Sequence, residues 1–140
     1  MVDKKVVVAA SGYFDPLHLG HIEYLREAKK LGDKLIVIVN NSKQSVLKKG
    51  YEFMPLKERI EIMKSLNFVD EVFESIDEDK AVCKSIEAVR PDIFAKGGDR
   101  FAGEIPETQI CNKLNIKIVD GLGNKIQSSS ELVTKAKKIN

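Results

Sequence analysis

The chain contains no apolar run that approaches the ~20 residues needed to cross a bilayer as a helix, and its first residues do not form a secretory signal peptide. We therefore expect a cytoplasmic protein without membrane contact. Net charge is also small, because 23 basic and 21 acidic residues leave a formal charge of +2. Proteins that bind nucleic acid non-specifically carry a strong excess of positive charge, so no nucleic acid is expected among the partners.

Cysteine is scarce, and two nucleotide-binding motifs are missing. Cys83 and Cys111 stand alone in the sequence without C-x-x-C spacing, which predicts reduced thiols and no metal site. No G-x-G-x-x-G follows the first apolar run, and no G-x-x-x-x-G-K-[ST] occurs anywhere. These absences argue against an NAD(P)-dependent oxidoreductase and against a P-loop kinase.

Apolar, β-branched runs alternate along the chain with stretches of helical periodicity. Strands are predicted at Lys5–Ala10, Leu35–Asn40, Glu71–Glu74, Asp92–Ala95 and Ile116–Val119. Helices are predicted at His21–Leu31, Pro55–Leu66, Lys80–Val89, Pro106–Leu114 and Ser129–Lys138. The alternation predicts an α/β fold, namely a single Rossmann-like domain over residues 1–140 with a parallel five-stranded sheet and helices on both faces. Ligands bind such sheets beyond the carboxyl ends of the strands.

The segment 12–21, Gly-Tyr-Phe-Asp-Pro-Leu-His-Leu-Gly-His, lies at that edge because it follows the first predicted strand and leads into a helix. It holds both histidines of the chain, His18 and His21, three residues apart. Side chains at this spacing share one face of a helix. A helix N-terminus also presents unpaired N–H groups and favours anions. The segment therefore predicts a phosphate site, although each histidine alone is also compatible with helix capping or ordinary half-burial.

The segment matches G-x-F-D-x-x-H-x-G-H at every fixed position and resembles the signature of the nucleotidylyltransferase superfamily in its cytidylyltransferase-like branch. The resemblance covers almost the whole chain and extends to glycerol-3-phosphate cytidylyltransferases and heptose-1-phosphate adenylyltransferases. It implies that His18 and His21 stabilise the transition state at the α-phosphate. The remaining motif residues are implied to bind the nucleotide: Gly12, Tyr13, Phe14, Asp15 and Gly20. Asp15 is also a candidate for contact with the acceptor.

The segment from Asn41 to Gly50, after the second predicted strand, carries three lysines and is interpreted as a loop. A mobile solvated loop would have this composition too. In the family that the chain resembles, a lysine from this loop reaches the nucleotide phosphates, and the matching position is Lys48. The matching arginine for the triphosphate is Arg59. A surface ion pair of Arg59 with a neighbouring glutamate of its own helix is the structural alternative.

Two further segments contribute candidates through the same resemblance. Lys96-Gly97-Gly98-Asp99-Arg100 has the form seen in the heptose-phosphate adenylyltransferases, which implies that Gly97 and Asp99 lie at the nucleotide and Arg100 at the acceptor phosphate. Near the end, a serine-rich helix start is implied to hold the leaving pyrophosphate through Gln127, Ser128, Ser129 and Ser130. Those serines also fit a simple helix cap. Lys125 stands near the place of a family arginine and is a candidate acceptor contact.

These observations predict an enzyme that transfers CMP from CTP to a small phosphorylated acceptor, a polyol, amino-alcohol or sugar phosphate, and releases pyrophosphate. An adenylyltransferase that uses ATP on a sugar phosphate is the close alternative. A non-catalytic nucleotide sensor on the same fold is a third interpretation. Mg²⁺ bridging the nucleotide phosphates is the expected cofactor, and the resemblance implies a homodimer.

Overall fold

The computed structural model describes residues 5–97 and 106–122. Strands and helices follow one another as β1 (Val7–Gly12), α1 (Leu19–Lys29), β2 (Lys34–Val39), α2 (Ser42–Lys49), α3 (Leu56–Ser65), β3 (Glu71–Glu74), α4 (Cys83–Val89), β4 (Ile93–Gly97), α5 (Glu107–Lys113) and β5 (Lys117–Leu122). The predicted helix from Ser129 to Lys138 lies outside the described residues. Among the helices that the structure describes, none combines the length and the apolar character needed to span a membrane.

The five strands form one sheet in the order β3-β2-β1-β4-β5, and every neighbouring pair is parallel. The predicted fold class is confirmed. The chain first builds outward from β1 to β3 and then returns to the other side of β1 with β4. The strand order therefore reverses between β1 and β4, and the crevice outside their carboxyl ends is where such sheets bind ligands.

The sheet separates two apolar layers, as the unbroken hydrophobic runs of β1 and β2 predict. Alternate residues of one strand point to opposite faces. Thus Val8 and Ala10 pack in one cluster with residues of α1 and α3, and Ala9 packs in the other with residues of α4 and α5. Helices on both faces hold the carboxyl edge of the sheet in place.

The segment after β2 differs from the prediction, because most of it is the helix α2 and not a loop. The side chain of Asn41 accepts a hydrogen bond from the N–H of Gln44, and the side chain of Gln44 accepts one from the N–H of Asn41. At the other end, Gly50 adopts the left-handed conformation with φ 85°, which glycine tolerates best. Capping at both ends stabilises this short helix.

Candidate active site

The motif segment leaves β1 where β1 and β4 separate. The two strands pair from Val8 to Ala10 against Ile93 to Ala95. Beyond that point the buried hydroxyl of Tyr24 bridges them: it accepts from the N–H of Ser11 at 3.2 Å and donates to the carbonyl of Ala95 at 2.7 Å. This side chain from α1 joins the backbones of the two strands where their pairing ends, so it fixes the start of the crevice.

The two histidines form a capping box at the N-terminus of α1. The Nδ1 atom of His18 accepts from the N–H of Gly20 at 3.1 Å, and the Nδ1 atom of His21 accepts from the N–H of His18 at 3.2 Å. Their rings stack with centroids 3.9 Å apart and planes 24° apart. Because both Nδ1 atoms accept, each neutral ring carries its proton on Nε2. The capping and functional interpretations of the histidines are therefore compatible, since capping uses Nδ1 of each ring and phosphate binding would use Nε2.

Burial and nearby positive charge keep the inner histidine neutral. Burial foremost, then His18 and Lys48, lower the pKa of His21 from 6.5 to about 4. A neutral imidazole that donates through Nε2 is a suitable partner for phosphate oxygens. A bound polyanion would favour the protonated form and strengthen the contact as negative charge develops.

Phe14 lies in the core and supports the histidines from within. Its side chain is 2% exposed, and its ring meets His21 edge to face with centroids 5.1 Å apart. A Cβ atom on Gly12 would lie 2.7 Å from Cζ of Phe14, so the absence of a side chain at Gly12 makes room for this ring. We predicted that Gly12 and Phe14 meet a nucleotide; contact of the Phe14 ring with one would require this packing to open.

Lys48 lies in the last turn of α2, the helix that follows β2, and contacts Tyr13 of the motif. Its Nζ atom lies 4.3 Å from the centroid of the Tyr13 ring, a cation–π distance. The hydroxyl of Tyr13 donates to the carbonyl of Lys80 at 3.2 Å. Lys48 therefore contacts Tyr13, and its charge contributes to the lowered pKa of His21; a shared role of the three residues at one phosphate site stays a prediction.

Asp15 points inward and is fully engaged with the protein. Its carboxylate accepts from the amine of Lys49 at 2.7 Å and from the N–H of Phe53 at 2.9 Å, and the second oxygen accepts from the N–H of Met54. Burial raises the pKa of Asp15, but these hydrogen bonds and the charge of Lys49 outweigh it and lower the pKa below 3.8. The side chain is 0% exposed. Direct contact with nucleotide or acceptor, which we predicted, would require one of these bonds to break.

Arg59 is likewise buried, at 1% exposure, and does not form the predicted surface pair with a glutamate of its own helix. Its Nε donates to the carbonyl of Met54, and its NH1 donates to the carbonyls of Tyr13 and Asn40 at 2.9 and 2.7 Å. Its NH2 donates to Glu52 at 2.7 Å. The guanidinium therefore ties the ends of β1 and β2 to the segment before α3, and its predicted contact with the triphosphate stays a prediction.

Three residues of this region were missed in the sequence. Lys49 pairs with Asp15 and Glu52 pairs with Arg59. Tyr24 forms hydrogen bonds with both β1 and β4. Nothing in the sequence distinguishes Lys49 from Lys48, which precedes it directly. Tyr24 directly precedes Leu25, and both are buried in α1. The signal in the sequence was a tyrosine next to an apolar position of the predicted helix, because a buried phenol usually finds a hydrogen-bond partner.

The other predicted residues divide between described and undescribed parts of the chain. Gly20 lies in the first turn of α1, and Gly97 ends β4, at the same edge of the sheet. An added Cβ on Gly97 would meet no atom within 4 Å among the described residues. The remaining candidates lie outside the described residues: Asp99, Arg100, Lys125, Gln127, Ser128, Ser129 and Ser130.

Comparison with known proteins identifies the family of the chain. The profile of a family described as cytidylyltransferase-like matches residues 9–135. An FAD synthase of Ferroglobus placidus is 38% identical over 136 residues, which are 97% of this chain and 86% of that protein. The bifunctional protein HldE of a Nitratiruptor species is 39% identical over 120 residues, which are 84% of this chain and 26% of that longer protein.

Solved structures lead to the same result. A lipopolysaccharide core biosynthesis protein from Thermoplasma volcanium superposes with a TM-score of 0.74 and 32% identity over 86% of this chain and 99% of that chain. A pantoate-beta-alanine ligase from Francisella tularensis, at 17% identity and a TM-score of 0.58, shares the fold. The match over most of the chain and the histidine pair at the crevice lead to one conclusion: the chain belongs to the cytidylyltransferase-like family and is a nucleotidyltransferase.

Proposed function

We propose that this protein transfers an adenylyl group from ATP to a phosphorylated small molecule and releases pyrophosphate. The observation that carries the proposal is the capping box of His18 and His21 at the N-terminus of α1, in which both Nδ1 atoms accept backbone N–H groups and each neutral ring therefore has its donor at Nε2. Lys48 adds a positive charge beside them. Such a set suits a phosphate that gains charge during reaction.

The reaction needs no protein nucleophile. An oxygen of the acceptor phosphate attacks the α-phosphorus, a new P–O bond forms, and the bond to the β-phosphate oxygen breaks with its electron pair leaving on pyrophosphate. Because the attacking oxygen is already anionic, no general base is required. Catalysis then consists of in-line positioning and stabilisation of charge on the phosphoryl oxygens. His18, His21 and Lys48 supply that stabilisation in the proposal.

Two observations support ATP as the donor over CTP, which the motif alone favours. Relatives named FAD synthase make a product that contains an adenylyl group, and one of them matches 97% of this chain at 38% identity. The sequence Lys96-Gly97-Gly98-Asp99 also resembles the adenylyltransferase branch. CTP is retained as the second candidate because the matching family is described as cytidylyltransferase-like.

The acceptor is proposed only as a phosphorylated small molecule. The name FAD synthase supports a flavin phosphate, whereas the structural relative from lipopolysaccharide core biosynthesis supports a sugar phosphate. Both present the same anionic end to the histidines. The homodimer implied by the family resemblance also stays a proposal, which sedimentation equilibrium would test.

Magnesium is proposed to enter with the nucleotide. In residues 5–97 and 106–122, no three His, Cys, Asp or Glu side chains lie together as a metal site. Mg²⁺ usually keeps several waters and binds substrate phosphates, so the triphosphate itself would hold the ion here. When bound, Mg²⁺ would reduce the negative charge of the phosphates, and the donors of the chain would orient them.

A pyrophosphate-release screen tests the proposal. ATP and CTP are each combined with FMN, heptose 1-phosphate, glycerol 3-phosphate and phosphoethanolamine, and products are identified by mass spectrometry. We expect ATP with one acceptor class to give equal amounts of pyrophosphate and an adenylylated product, and we expect His21→Ala to abolish both. Pyrophosphate release with CTP and not with ATP would show that CTP, and not ATP, is the nucleotide donor. Nucleotide binding without pyrophosphate release from any pair would support the sensor interpretation instead.

A further inference from the structure

Two consecutive lysines at the end of α2, Lys48 and Lys49, contact different residues of the motif segment 12–21. Consecutive side chains on a helix diverge by about 100°. The Nζ atom of Lys48 lies over the ring of Tyr13. The Nζ atom of Lys49 donates instead to both the carbonyl and the carboxylate of Asp15, at 2.6 and 2.7 Å. One lysine therefore lies over an aromatic ring of the motif, and the other is bound to the motif backbone and to a buried carboxylate.

The electrostatics separate the two lysines in the same way. The positive charge of Lys48 contributes to the lowered pKa of His21, and Lys49 is not among its causes. The charge of Lys49 is compensated by Asp15, whose side chain is 0% exposed. Lys49 is therefore unsuited to binding a phosphate, because the buried carboxylate of Asp15 would then lose its counter-charge, which is unfavourable.

The opposite end of α2 is also anchored. The amide of Asn41 donates to the carbonyls of Ser75 and Asp77, both at 2.9 Å. The amide of Gln44 donates to the carbonyls of Asp79 and Ala81 at 2.7 and 2.8 Å. With Lys49 bound to Asp15, the helix is held at both ends, and its direction relative to the histidines is set.

We propose that Lys49 is a positioning residue, whose ion pair with Asp15 holds the last turn of α2 so that Lys48 stays over the ring of Tyr13, in the motif that carries the histidine pair. Two further bonds support the arrangement, because Asp15 also accepts from the N–H groups of Phe53 and Met54 and so joins the motif to the segment that follows the helix. Without the ion pair, the last turn would fray, as helix ends do, and Lys48 would sample many positions. The inference rests on the proposed function, since it assigns Lys48 to the nucleotide phosphates.

The test compares four variants at one temperature where all are folded. Lys49→Met removes the tether, and Lys49→Arg keeps a cation that can still pair with Asp15. Lys48→Met removes the proposed phosphate contact, and Lys43→Met, an exposed lysine of the same helix, is the matched control. In pyrophosphate-release kinetics we expect Lys49→Met to raise the KM for the nucleotide about tenfold or more, and Lys49→Arg to restore it to within about threefold. Lys43→Met is expected to match the wild type.

A second readout does not depend on turnover. Because the chain has only two histidines, the ring signals of His21 can be followed by proton NMR as the pH changes. Loss of a nearby cation should raise the midpoint, so Lys48→Met and Lys49→Met are expected to raise it alike, and Lys49→Arg to leave it unchanged. The double variant Asp15→Asn/Lys49→Met, which leaves no unpaired charge, covers the case in which Lys49→Met fails to fold, and it should behave like Lys49→Met.

The two readouts distinguish the failure of this inference from failure of the proposed function. A wild-type protein that releases no pyrophosphate with any donor would contradict the proposed function, and the NMR midpoints would then decide the role of Lys49 alone. A His21 midpoint that is unchanged in Lys49→Met, and in the double variant if the single one does not fold, would overturn the inference. So would an unchanged nucleotide KM in an active Lys49→Met enzyme.

Discussion

The phenolic hydroxyl of Tyr24 donates to the carbonyl oxygen of Ala95 at 2.7 Å, at the point where β1 and β4 part to form the ligand crevice. The phenolic oxygen of Tyr24 in turn accepts from the N–H of Ser11. Parallel strands that diverge leave backbone groups unpaired, and burial makes each unpaired group costly. A helix on one face of the sheet thus completes the hydrogen bonding of the two strands that form the crevice.

Replacement of Tyr24 by phenylalanine tests this role. The variant keeps the ring but removes the hydrogen bonds with the carbonyl of Ala95 and the N–H of Ser11, so we expect the unfolding free energy to fall by about 1–3 kcal/mol. Urea denaturation monitored by circular dichroism measures it. Tyr51→Phe, at a residue that is 59% exposed, is the control and should change stability little. Equal stability of Tyr24→Phe and wild type would contradict the bridging role.

The capping box allows the two functions of His18 to be separated. Asparagine is a good N-cap residue, so His18→Asn should keep the hydrogen bond to Gly20 and change unfolding free energy by less than about 0.5 kcal/mol. It removes the Nε2–H donor, however, and loss of one preorganised donor typically lowers kcat by about 10²–10³. Single-turnover pyrophosphate release measures that loss. A loss below tenfold with chemistry rate-limiting would show that His18 acts as a cap alone.

The lowered pKa of His21 predicts a pH dependence of stability. Its pKa is about 4 in the folded protein and 6.5 unfolded, so between these values the unfolded chain binds more protons and stability falls as the pH is lowered. The contribution is fully present above pH 6.5, is lost progressively down to about pH 4, and amounts to no more than about 3 kcal/mol. Urea unfolding across this range measures it.

His21→Asn is the comparison that isolates the histidine. The carboxylates of Asp15 and Asp70, whose pKa values are also lowered in the fold, lose their own stabilising contributions at still lower pH in both proteins. The difference between wild type and variant should therefore change between pH 6.5 and 4 and be flat above. A difference that is constant across the whole range would contradict the burial of a neutral His21.

The fold was accessible from the sequence because its strongest signals are local. Unbroken apolar runs predicted β1 and β2, and the strand at Glu71–Glu74 was predicted with its observed bounds. Helix starts were less accurate. We predicted α1 from His21, but it begins at Leu19 because His18 caps it. We predicted α4 from Lys80, whereas it begins at Cys83, since the preceding residues form the segment that Asn41 and Gln44 anchor.

The helix α2 was missed for a physical reason. Its apolar residues Val46 and Leu47 are 50% and 52% exposed, so it lacks the buried stripe from which an amphipathic helix is predicted. The available signals were Asn41 followed three residues later by Gln44 and a glycine at position 50, which together form a capped helix. Phe14 and Asp15, in contrast, were both predicted to contact the nucleotide, and both are buried. A sequence signature gives the order of the residues and does not show whether a side chain points into the core or toward the ligand.

Arg59 provides the clearest test of that distinction, because its guanidinium is either a structural tie or a phosphate ligand. In the structure it donates to the carbonyls of Met54, Tyr13 and Asn40 and pairs with Glu52. Removing one partner of a buried ion pair typically costs about 3–5 kcal/mol, so Arg59→Met should lose stability on this scale in urea unfolding. Arg59→Lys, which keeps the charge but lacks the planar fork, should lose less.

The control is Lys57→Met, an exposed position on the same helix, which should leave stability nearly unchanged. Glu52→Gln completes a double-mutant cycle with Arg59→Met, and we expect the two losses to be less than additive because both remove the same pair. If Arg59→Lys instead kept full stability while the KM for the nucleotide rose sharply, the guanidinium would have to leave its carbonyl partners when substrate binds. In that case Arg59 would be a phosphate ligand, as the family resemblance implies, and the hydrogen bonds seen here would describe only the protein without its nucleotide.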